Sequence, residues 1–418
     1  MITRPFVLSL LVACGLHARP TPAPDNGGLT VPEGFAVAVV ADGLDGVRGL
    51  AVSDDGIVYA RVKDRGVVAL RDRDDDGKAD EVKDLPGVEK DGSGIGIHEG
   101  YLYFSTNSAV HRLRLQPGQW LPEGEPEVVV RDLPDRRQHN SKMFTFDSAG
   151  RLYVEVGSPS NALGQPDRGR NATGQSEEAV KEFLSRHGGI WRFDPNKLGQ
   201  TQADGHHHST GHRHILSLAW HPVSDALFAV QNGRDVLDVV KPSVFTAEYN
   251  AERVSEEMHL LREGTNLGWP YTYYDPIDRR RLFSPEYGGD GKKGPPAGRY
   301  PDPLVAFPAH WAPMQMTYYG KDQFPEKYQG GMFVAFHGSW NRSPEQKGYR
   351  VCFVPFGRDG MPTGQFETFA DGFIGRDSIT NPNDAAYRPM GVAVGPDGSL
   401  YIGADHGGRI WRVFHQGK

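Results

Sequence analysis

Cysteine is almost absent from this chain, which has two, Cys14 and Cys352, in 418 residues. If Cys14 is modified, no intrachain disulfide can form, and stability must come from an apolar core. Cys352 lies in a strand-like run, Tyr349–Val354, and is predicted to be a small buried apolar side chain.

Long apolar runs are also scarce, and acidic residues outnumber basic ones. The net charge is −7, which argues against nucleic acid as a partner because phosphates are met by basic surface. Beyond the N-terminal segment, no apolar run approaches transmembrane length. The chain is 38% hydrophobic and contains 52 glycines and 31 prolines, a composition typical of a globular protein with many tight turns.

The N-terminal segment has the pattern of an export signal. One basic residue, Arg4, precedes an apolar run at residues 6–13 that is too short to span a bilayer. The run ends in Leu-Val-Ala-Cys at Cys14, which resembles the bacterial lipobox; the alternative is an ordinary signal peptide with a chance cysteine. We predict a lipoprotein signal peptide over residues 1–13, a lipid anchor on Cys14, a periplasmic location at the cell envelope, and a Pro- and Gly-rich tether over residues 14–30.

One unit recurs along the rest of the chain: an apolar strand, a turn that often carries Asp-Gly, and an aromatic-rich strand. Its six copies lie at residues 49–59, 94–104, 144–154, 218–228, 316–334 and 391–402. A third strand with the pattern apolar-x-Arg follows several copies, at residues 110–113, 190–193 and 410–413. Because one small sheet cannot bury both faces, we predict an all-β, six-bladed propeller of four-stranded antiparallel blades over residues 31–416. Residues 35–40 are expected to complete the last blade and close the ring.

An acidic segment between two of the predicted strands has the spacing of a calcium loop. Asp72, Asp74, Asp76 and Asp80 occupy relative positions 1, 3, 5 and 9, and Gly77 occupies position 6. Position 12 is a lysine, so the usual bidentate Glu is missing. We predict a structural calcium site; the alternative is a solvated acidic turn.

A histidine-rich tract comprises His206, His207, His208, His212 and His214. Such tracts can bind transition metals, but no Asp, Glu or Cys accompanies this one at ligand spacing. Two readings stay open: a metal site, or a polar loop in which one or two histidines serve another site.

Short polar signatures flank the predicted strands in different blades. Since equivalent blade positions converge on the axis, we expect these side chains around one mouth: His139, Arg213, His214, Asn232, His310, Asn341, Arg342 and Arg388. Several cations beside a histidine suit an anion with several carboxylates next to a general base.

Over roughly residues 34–414, the chain resembles the soluble dehydrogenases of sugars that depend on pyrroloquinoline quinone (PQQ), in particular their sorbosone and pyranose dehydrogenase-like members. The resemblance is carried by residues 31–35, 139–141, 211–213, 264–270, 337–342 and 407–412. The Asn-Leu-Gly-Trp-Pro and Gly-Ser-Trp-Asn-Arg stretches are fairly specific in combination. Members of this family are six-bladed propellers, in agreement with the repeat count.

The resemblance implies PQQ and calcium as cofactors, a small sugar substrate, and hydride transfer to the quinone. It implies that His139 is the base, that Arg213 faces the cofactor, and that Gly233 and Arg234 hold calcium through their backbone carbonyls. Asn341 and Arg342 fall where well-studied members carry Lys-Arg, and Arg388 matches one of two arginines in the last blade.

Four positions depart from the family pattern: Gln138, His214, Asn341 and Met390. No Cys-x-x-Cys-His motif is present, so electrons must pass to an external acceptor. Two other classes were weighed: a non-catalytic propeller that binds a glycan or protein, and a lactonase-like propeller, for which no set of inward Glu, Asp and Asn ligands can be assembled.

Overall fold

The computed structural model describes residues 20–417 and confirms the predicted fold. Six antiparallel sheets form the blades of a ring, and their first strands contact one another around the central axis. Cys14 and the predicted signal peptide lie outside the described residues. Among the described residues, no helix is long and apolar enough to cross a bilayer.

The first three blades follow one another in sequence, each listed from its inner strand outward. Blade one comprises Val47–Val52, Val58–Val62, Gly66–Arg71 and Glu81–Asp84. Blade two comprises Ile95–His98, Tyr101–Ser105, Val110–Arg114 and Glu127–Val130. Blade three comprises Phe144–Phe146, Leu152–Val156, Gly189–Phe193 and His206–Thr210, and a short parallel strand, Thr265–Asn266, extends it.

The last three blades contain the longer insertions. Blade four comprises Ile215–His221, Ala226–Gln231, Glu256–Leu261 and Val305–Phe307. Blade five comprises Pro313–Tyr318, Met332–His337, Tyr349–Val354 and Glu367–Ala370. Blade six comprises Arg388–Val394, Leu400–His406, Ile410–His415 and Phe35–Ala41.

The remaining elements lie in the connections. Three short α-helices span Glu177–Leu184, Leu237–Val240 and Ala247–Glu252, and a separate hairpin pairs Thr272–Asp275 with Arg280–Phe283. Single 3₁₀ turns span Pro24–Gly28, Gln202–Asp204, Pro285–Tyr287, Glu326–Tyr328 and Pro382–Asp384. The connections that carry the three helices leave one end of the ring, where they can build a site on a rigid scaffold.

Two opposite faces of the ring result from this topology. At the mouth, first strands begin and second strands end; at the other face, which we call the turn face, tight turns join first to second strands. Gly56 and Gly398 lie in two such turns with φ of +78° and +89°, a left-handed conformation that glycine adopts without steric cost.

The N-terminal strand closes the ring, as predicted. Phe35–Ala41 pairs antiparallel with Ile410–His415, and Phe35 lies opposite His415. The Phe35 ring makes edge contacts with Phe324, Tyr328 and Phe369 at centroid distances of 4.8–5.5 Å. The two ends of the chain are therefore joined through the aromatic core between blades five and six.

The axis is filled by side chains and close backbone contacts. Gln315, on the inner strand of blade five, accepts from Leu50 N at 2.9 Å and Val392 N at 3.1 Å, and donates to Leu50 O at 2.8 Å. A Cβ at Gly49 would lie 2.6 Å from Ser93 O, so only glycine allows the inner strands of blades one and two to approach so closely. The mouth therefore has a closed floor.

Cys352 is fully buried in the core between blades four and five, as expected from its strand-like context. Burial raises the pKa of its thiol to about 12. The thiol is therefore an unreactive packing group at neutral pH.

Replacing Phe35 by alanine tests the ring closure. Because Phe35 is 7% exposed and packs against three aromatic rings, Phe35→Ala is expected to lower the free energy of unfolding by ~3–5 kcal/mol. Urea unfolding measures the change. Leu198→Ala, at a side chain that is 45% exposed, is the control and should stay within ~0.5 kcal/mol of wild type. Equal effects of the two substitutions on the free energy of unfolding would contradict ring closure by the N-terminal strand Phe35–Ala41.

Candidate active site

The structure brings the sequence-predicted mouth residues to one end of the propeller. Some precede or begin inner strands: His139, Arg213, His214, His310 and Arg388. Others follow second strands: Asn232, Gly233, Arg234, Asn341 and Arg342. Starts of inner strands and ends of second strands meet at the same face of an antiparallel blade, so the topology explains why these residues converge.

His139 is held in one tautomer by the backbone. Its Nδ1 lies 2.5 Å from the carbonyl oxygen of Ser158, which can only accept, so Nδ1 carries the hydrogen and Nε2 is left with its lone pair. Burial, with the positive charge of Arg213 and the neighbouring His214, holds the pKa of His139 well below its usual range. His139 is therefore a neutral imidazole with one basic nitrogen.

Two mouth histidines occupy strained backbone conformations. His139 has φ of +50° and His310 has φ of +61°, in a region that side chains with a Cβ seldom adopt. Such conformations persist where surrounding structure fixes them, and they cluster at functional sites. His310 Nε2 is bonded to Asn250 O at 2.7 Å, so its ring is fixed as well.

His214 stacks on His139 with ring centroids 4.6 Å apart. Its Nδ1 faces Glu155 Oε1 at 3.1 Å, and the same carboxylate oxygen accepts from Ile215 N at 3.2 Å. The other Glu155 oxygen is buried with no hydrogen-bond partner among the described residues. His214 thus fixes one side of the His139 ring.

The carboxylate of Asp235 joins three parts of the mouth. Its Oδ2 accepts from Arg213 and from Arg168, both at 2.5 Å, and its Oδ1 lies 3.8 Å from His310 Nδ1. Its backbone N–H donates to Asn161 Oδ1 at 2.8 Å. Although burial alone would raise the pKa of Asp235, these cations hold it well below its usual range, so the group is a carboxylate.

Hydrogen bonds and a salt bridge to buried carboxylates hold the Gly233–Arg234 turn in place. Gly233 N donates to Glu256 Oε2 at 2.6 Å, and Ala312 N donates to Glu256 Oε1 at 3.1 Å. Burial raises the pKa of Glu256 to about 7. The Arg234 guanidinium forms a two-pronged salt bridge to Glu286, with distances of 2.5 and 3.0 Å. No described backbone N–H donates to the carbonyl oxygens of Gly233 or Arg234, which leaves both available as metal ligands.

The neighbouring Asn232 has an unused buried acceptor. Its Nδ2 donates to Pro313 O at 3.4 Å, whereas Oδ1 has no hydrogen-bond partner among the described residues. A buried amide oxygen without a partner is costly and is expected to meet a ligand or an ion. Together with the two carbonyls beside it, it forms an all-oxygen donor set of the kind calcium prefers.

The two predicted arginines of blades five and six are held differently. Arg342 donates to Ala251 O and to the Glu252 carboxylate, so its charge is paired. Arg388 donates to the backbone carbonyls of His337 and Gly338 at 3.1 and 3.0 Å rather than to a carboxylate. Asn341 is exposed, and its carbonyl accepts from Asn250 Nδ2 at 3.2 Å.

The charge of the mouth suits an anionic ligand. Arg213 and Arg168 donate to Asp235, Arg168 also lies 3.9 Å from Asp167, and Arg388 donates to two backbone carbonyls, so three guanidinium groups are fixed at the mouth. PQQ carries several carboxylates, and arginines recognise carboxylates through paired hydrogen bonds. The residues present therefore fit this cofactor, with calcium beside it at the Gly233–Arg234 turn.

The acidic loop lies at the turn face, at the far end of the ring from His139. Carboxylate oxygens of Asp72, Asp74 and Asp80 approach within 4.8 Å of one another, and within residues 20–417 they form the only such group of His, Cys, Asp or Glu ligands. Asp76 Oδ1 instead accepts from Lys78 N at 2.8 Å. Asp72 Oδ1 is buried without a hydrogen-bond partner among the described residues.

The histidine tract does not come together. Neighbouring strand residues point to opposite sides: His207 stacks on Trp191, whereas His208 contacts Tyr153. His206 pairs with Glu263 at 2.5 Å on the outer edge of blade three. His212 is fully buried, with neither ring nitrogen hydrogen-bonded among the described residues, and His214 is the member of the tract that stacks on His139.

Three residues of the site were not predicted from the sequence: Asn161 and Arg168 in one long connection, and Asp235 next to the predicted Arg234. Arg168 and Asn161 come from the loop after the second strand of blade three, and Arg168 also donates to Gln138 Oε1 at 3.1 Å. The sequence did contain a signal for this loop, because it follows the second strand of blade three just as Asn232–Arg234 follows the second strand of blade four. Asp235 directly follows Arg234 in the same signature.

The comparisons with known proteins agree with this geometry. The TrAA12-like family model matches residues 29–416. A PQQ-dependent pyranose dehydrogenase of Coprinopsis cinerea is 31% identical over 172 residues, which are 35% of this chain and 22% of that protein. The chain thus covers less than a quarter of that relative's length.

Two solved structures share the fold at low sequence identity. The calcium structure of the Trichoderma reesei family AA12 enzyme superposes with a TM-score of 0.75 at 18% identity, covering 96% of this chain and 99% of that one. The holo form of the pyranose dehydrogenase PQQ domain from Coprinopsis cinerea gives 0.71 at 18% identity, with the same coverage. The chain therefore belongs to the TrAA12-like family, and its resemblance to the PQQ-dependent sugar dehydrogenases is confirmed at the level of the family.

Proposed function

We propose that this protein oxidises a sugar or a sugar-derived aldehyde, an aldose or an osone, with PQQ and calcium, and passes the electrons to an external acceptor. The observation that carries the proposal is the fixed tautomer of His139 beside the fixed guanidinium groups of Arg213 and Arg388. When bound, PQQ would supply the hydride-accepting carbonyl and calcium would polarise it.

His139 Nε2 is the base in this proposal. Because Nδ1–H is committed to Ser158 O, the ring accepts a proton at Nε2 without rearranging. The proton would come from the hydroxyl on the carbon that loses hydride. The stacked His214 ring and the Ser158 carbonyl hold the base in position, so little reorganisation precedes the transfer.

The arginines would bind and orient the cofactor's carboxylates. Arg213 is fixed by Asp235 and Asn161, and Arg388 is fixed by two backbone carbonyls, so both are preorganised. The carbonyls of Gly233 and Arg234, with Asn232 Oδ1, would hold the calcium ion. Glu256 supports this role because its carboxylate holds the turn through Gly233 N.

Two further proposals come from the sequence and concern the rest of the molecule. We propose that a second calcium ion binds Asp72, Asp74, Asp76 and Asp80 in a structural role; the convergence of three of these carboxylates supports this. We also propose that the protein is exported to the periplasm and anchored by lipid at Cys14, which the Leu-Val-Ala-Cys pattern supports.

The central experiment reconstitutes the purified protein with PQQ and calcium and follows dye reduction with a panel of aldoses and osones. His139→Gln removes the base and is expected to lower kcat by ~10²–10⁴-fold while PQQ affinity, measured by absorbance titration, stays unchanged. His206→Gln, at an exposed histidine of the outer strand, is the matched control.

Each outcome of this experiment bears on the proposal. Full activity of His139→Gln would contradict its role as the base. A wild-type protein that binds no PQQ would contradict the proposed function itself and would favour a non-catalytic propeller that binds a glycan or protein.

The pH dependence provides a second test. A base must be deprotonated to act, and its rate is lost only as pH falls through its pKa. Since the pKa of His139 is depressed, kcat/KM is expected to hold as pH falls through 6.5 and to decline only well below that value. A decline centred at or above pH 6.5 would show that His139 is not the titrating base.

Calcium binding by the acidic loop is tested by thermal unfolding without PQQ. An ion at about a hundredfold above its Kd stabilises by ~2.7 kcal/mol, so calcium is expected to raise the Tm of the wild type. Asp74→Asn should lose most of this increase, and Asp54→Asn, an exposed aspartate of the same face outside the loop, should keep it. Equal increases in the wild type and Asp74→Asn would place the ion elsewhere.

A further inference from the structure

The chain enters the propeller at the turn face, beside the seam between blades six and one. Thr21 N donates to Asp76 O and Ala23 N donates to Val37 O, both at 2.7 Å. A Cβ at Gly77 would lie 2.9 Å from Pro20 Cβ, so Pro20 packs directly on the acidic loop. The first described residues are therefore fixed at a defined place on this face.

The length of chain before Pro20 limits where a lipid could lie. Cys14 lies six positions before Pro20, and an extended chain covers at most about 3.6 Å per step, or ~20 Å in all. The mouth lies farther away. The strand Leu400–His406 alone rises ~20 Å between the two faces, and Pro20 packs on the acidic loop beyond the turn-face end of its strand. A lipid on Cys14 is therefore tied to the turn face.

We infer that the anchored protein presents its turn face to the bilayer and opens its mouth to the aqueous phase. This inference rests on the lipid anchor of the proposed function and is independent of the PQQ chemistry. In this orientation both the sugar and the electron acceptor reach the mouth from water. The acceptor is then a soluble or peripheral carrier, because a quinone within the bilayer would face the wrong end of the ring.

The charge of the turn face shows what holds it at the membrane. The exposed aspartates near the entry point are Asp54, Asp55, Asp74, Asp75, Asp76, Asp80 and Asp397. Arg73 and Lys78 are the exposed cations of the acidic loop and offset only part of this charge. With no calcium in the acidic loop, anionic headgroups repel such a surface, so in a calcium-free buffer the lipid alone should retain the protein. This distinguishes the turn face from a peripheral membrane-binding surface, which would be basic.

Energy transfer from two matched positions to the bilayer tests the orientation. Asp55→Cys and Lys63→Cys lie at opposite ends of one blade-one strand, and both side chains are exposed. Each variant of the full-length lipidated protein is labelled with a maleimide dye and placed in phosphatidylglycerol vesicles that carry a lipid-bound acceptor dye. Cys352 does not compete, because it is fully buried and its thiol pKa is raised to about 12.

Because the two labels lie ~20 Å apart along this strand, transfer from position 55 is expected to exceed transfer from position 63 at least about twofold. Equal transfer would mean that the body lies on its side, and greater transfer from position 63 would mean that the mouth faces the bilayer. Either result overturns the inference.

Cys14→Ser separates the anchor from the orientation. This variant is expected to remain in the supernatant when the vesicles are sedimented, whereas the wild type sediments with them. Sedimentation of Cys14→Ser, or failure of the wild type to sediment, would contradict the anchor. Loss of PQQ-dependent activity in a correctly oriented protein would contradict the proposed chemistry and leave the orientation intact.

Discussion

The buried carboxylate of Asp235 is the contact on which the mouth depends. Asp235 follows the second strand of blade four. Its carboxylate pairs with Arg213 from the start of the same blade and with Arg168 from the long loop of blade three, and it lies beside His310 of blade five. Two cations around one buried anion keep that anion charged, and each cation is fixed by the pairing. Removing one member of such a buried group typically costs ~3–5 kcal/mol, because the remaining charges lose their partner. Arg213 and Arg168 are positioned directly by this arrangement, and Arg168 in turn donates to Gln138, the residue before His139.

The propeller supplies the rigidity that this charge cluster requires. Gln315 links the inner strands of blades one, five and six at the axis. Phe35 joins the N-terminal strand Phe35–Ala41 to the aromatic core of blades five and six. The loops at the mouth therefore start and end on strands whose spacing is fixed. Catalytic geometry must hold within a fraction of an ångström, and a closed ring with short edges provides such a platform.

Much of the fold could be predicted from the sequence because the repeat is local. A strand, a tight turn and a second strand lie within about a dozen residues, and the unpaired strand at residues 35–40 had one place left to pair. His139, Arg213 and Asn232 could be placed at the mouth for the same reason, since each lies beside a strand.

Arg168 could not be placed, because its position depends on how the loop of blade three folds over Trp269, whose Nε1 donates to Asn161 O at 2.8 Å. The pairing of Arg342 with Glu252 depends on the docking of the helix Ala247–Glu252, which no local pattern indicates. The dispersal of the histidine tract, in contrast, could have been predicted from strand alternation.

The partner of His139 also bears on which hydroxyl it can deprotonate. In many enzymes a carboxylate orients the histidine base and stabilises its charged form, whereas here a neutral backbone carbonyl fixes the tautomer. Because burial and the charge of Arg213 lower the pKa of His139, the protonated ring gains little stabilisation, and the base is weak. A weak base works best on an acidic proton. The anomeric hydroxyl of a sugar, or the hydrate of an aldehyde, carries two oxygens on the reacting carbon and is more acidic than the other hydroxyls. In the proposed reaction, the environment of His139 therefore favours oxidation at the anomeric or aldehyde carbon over oxidation of an ordinary alcohol.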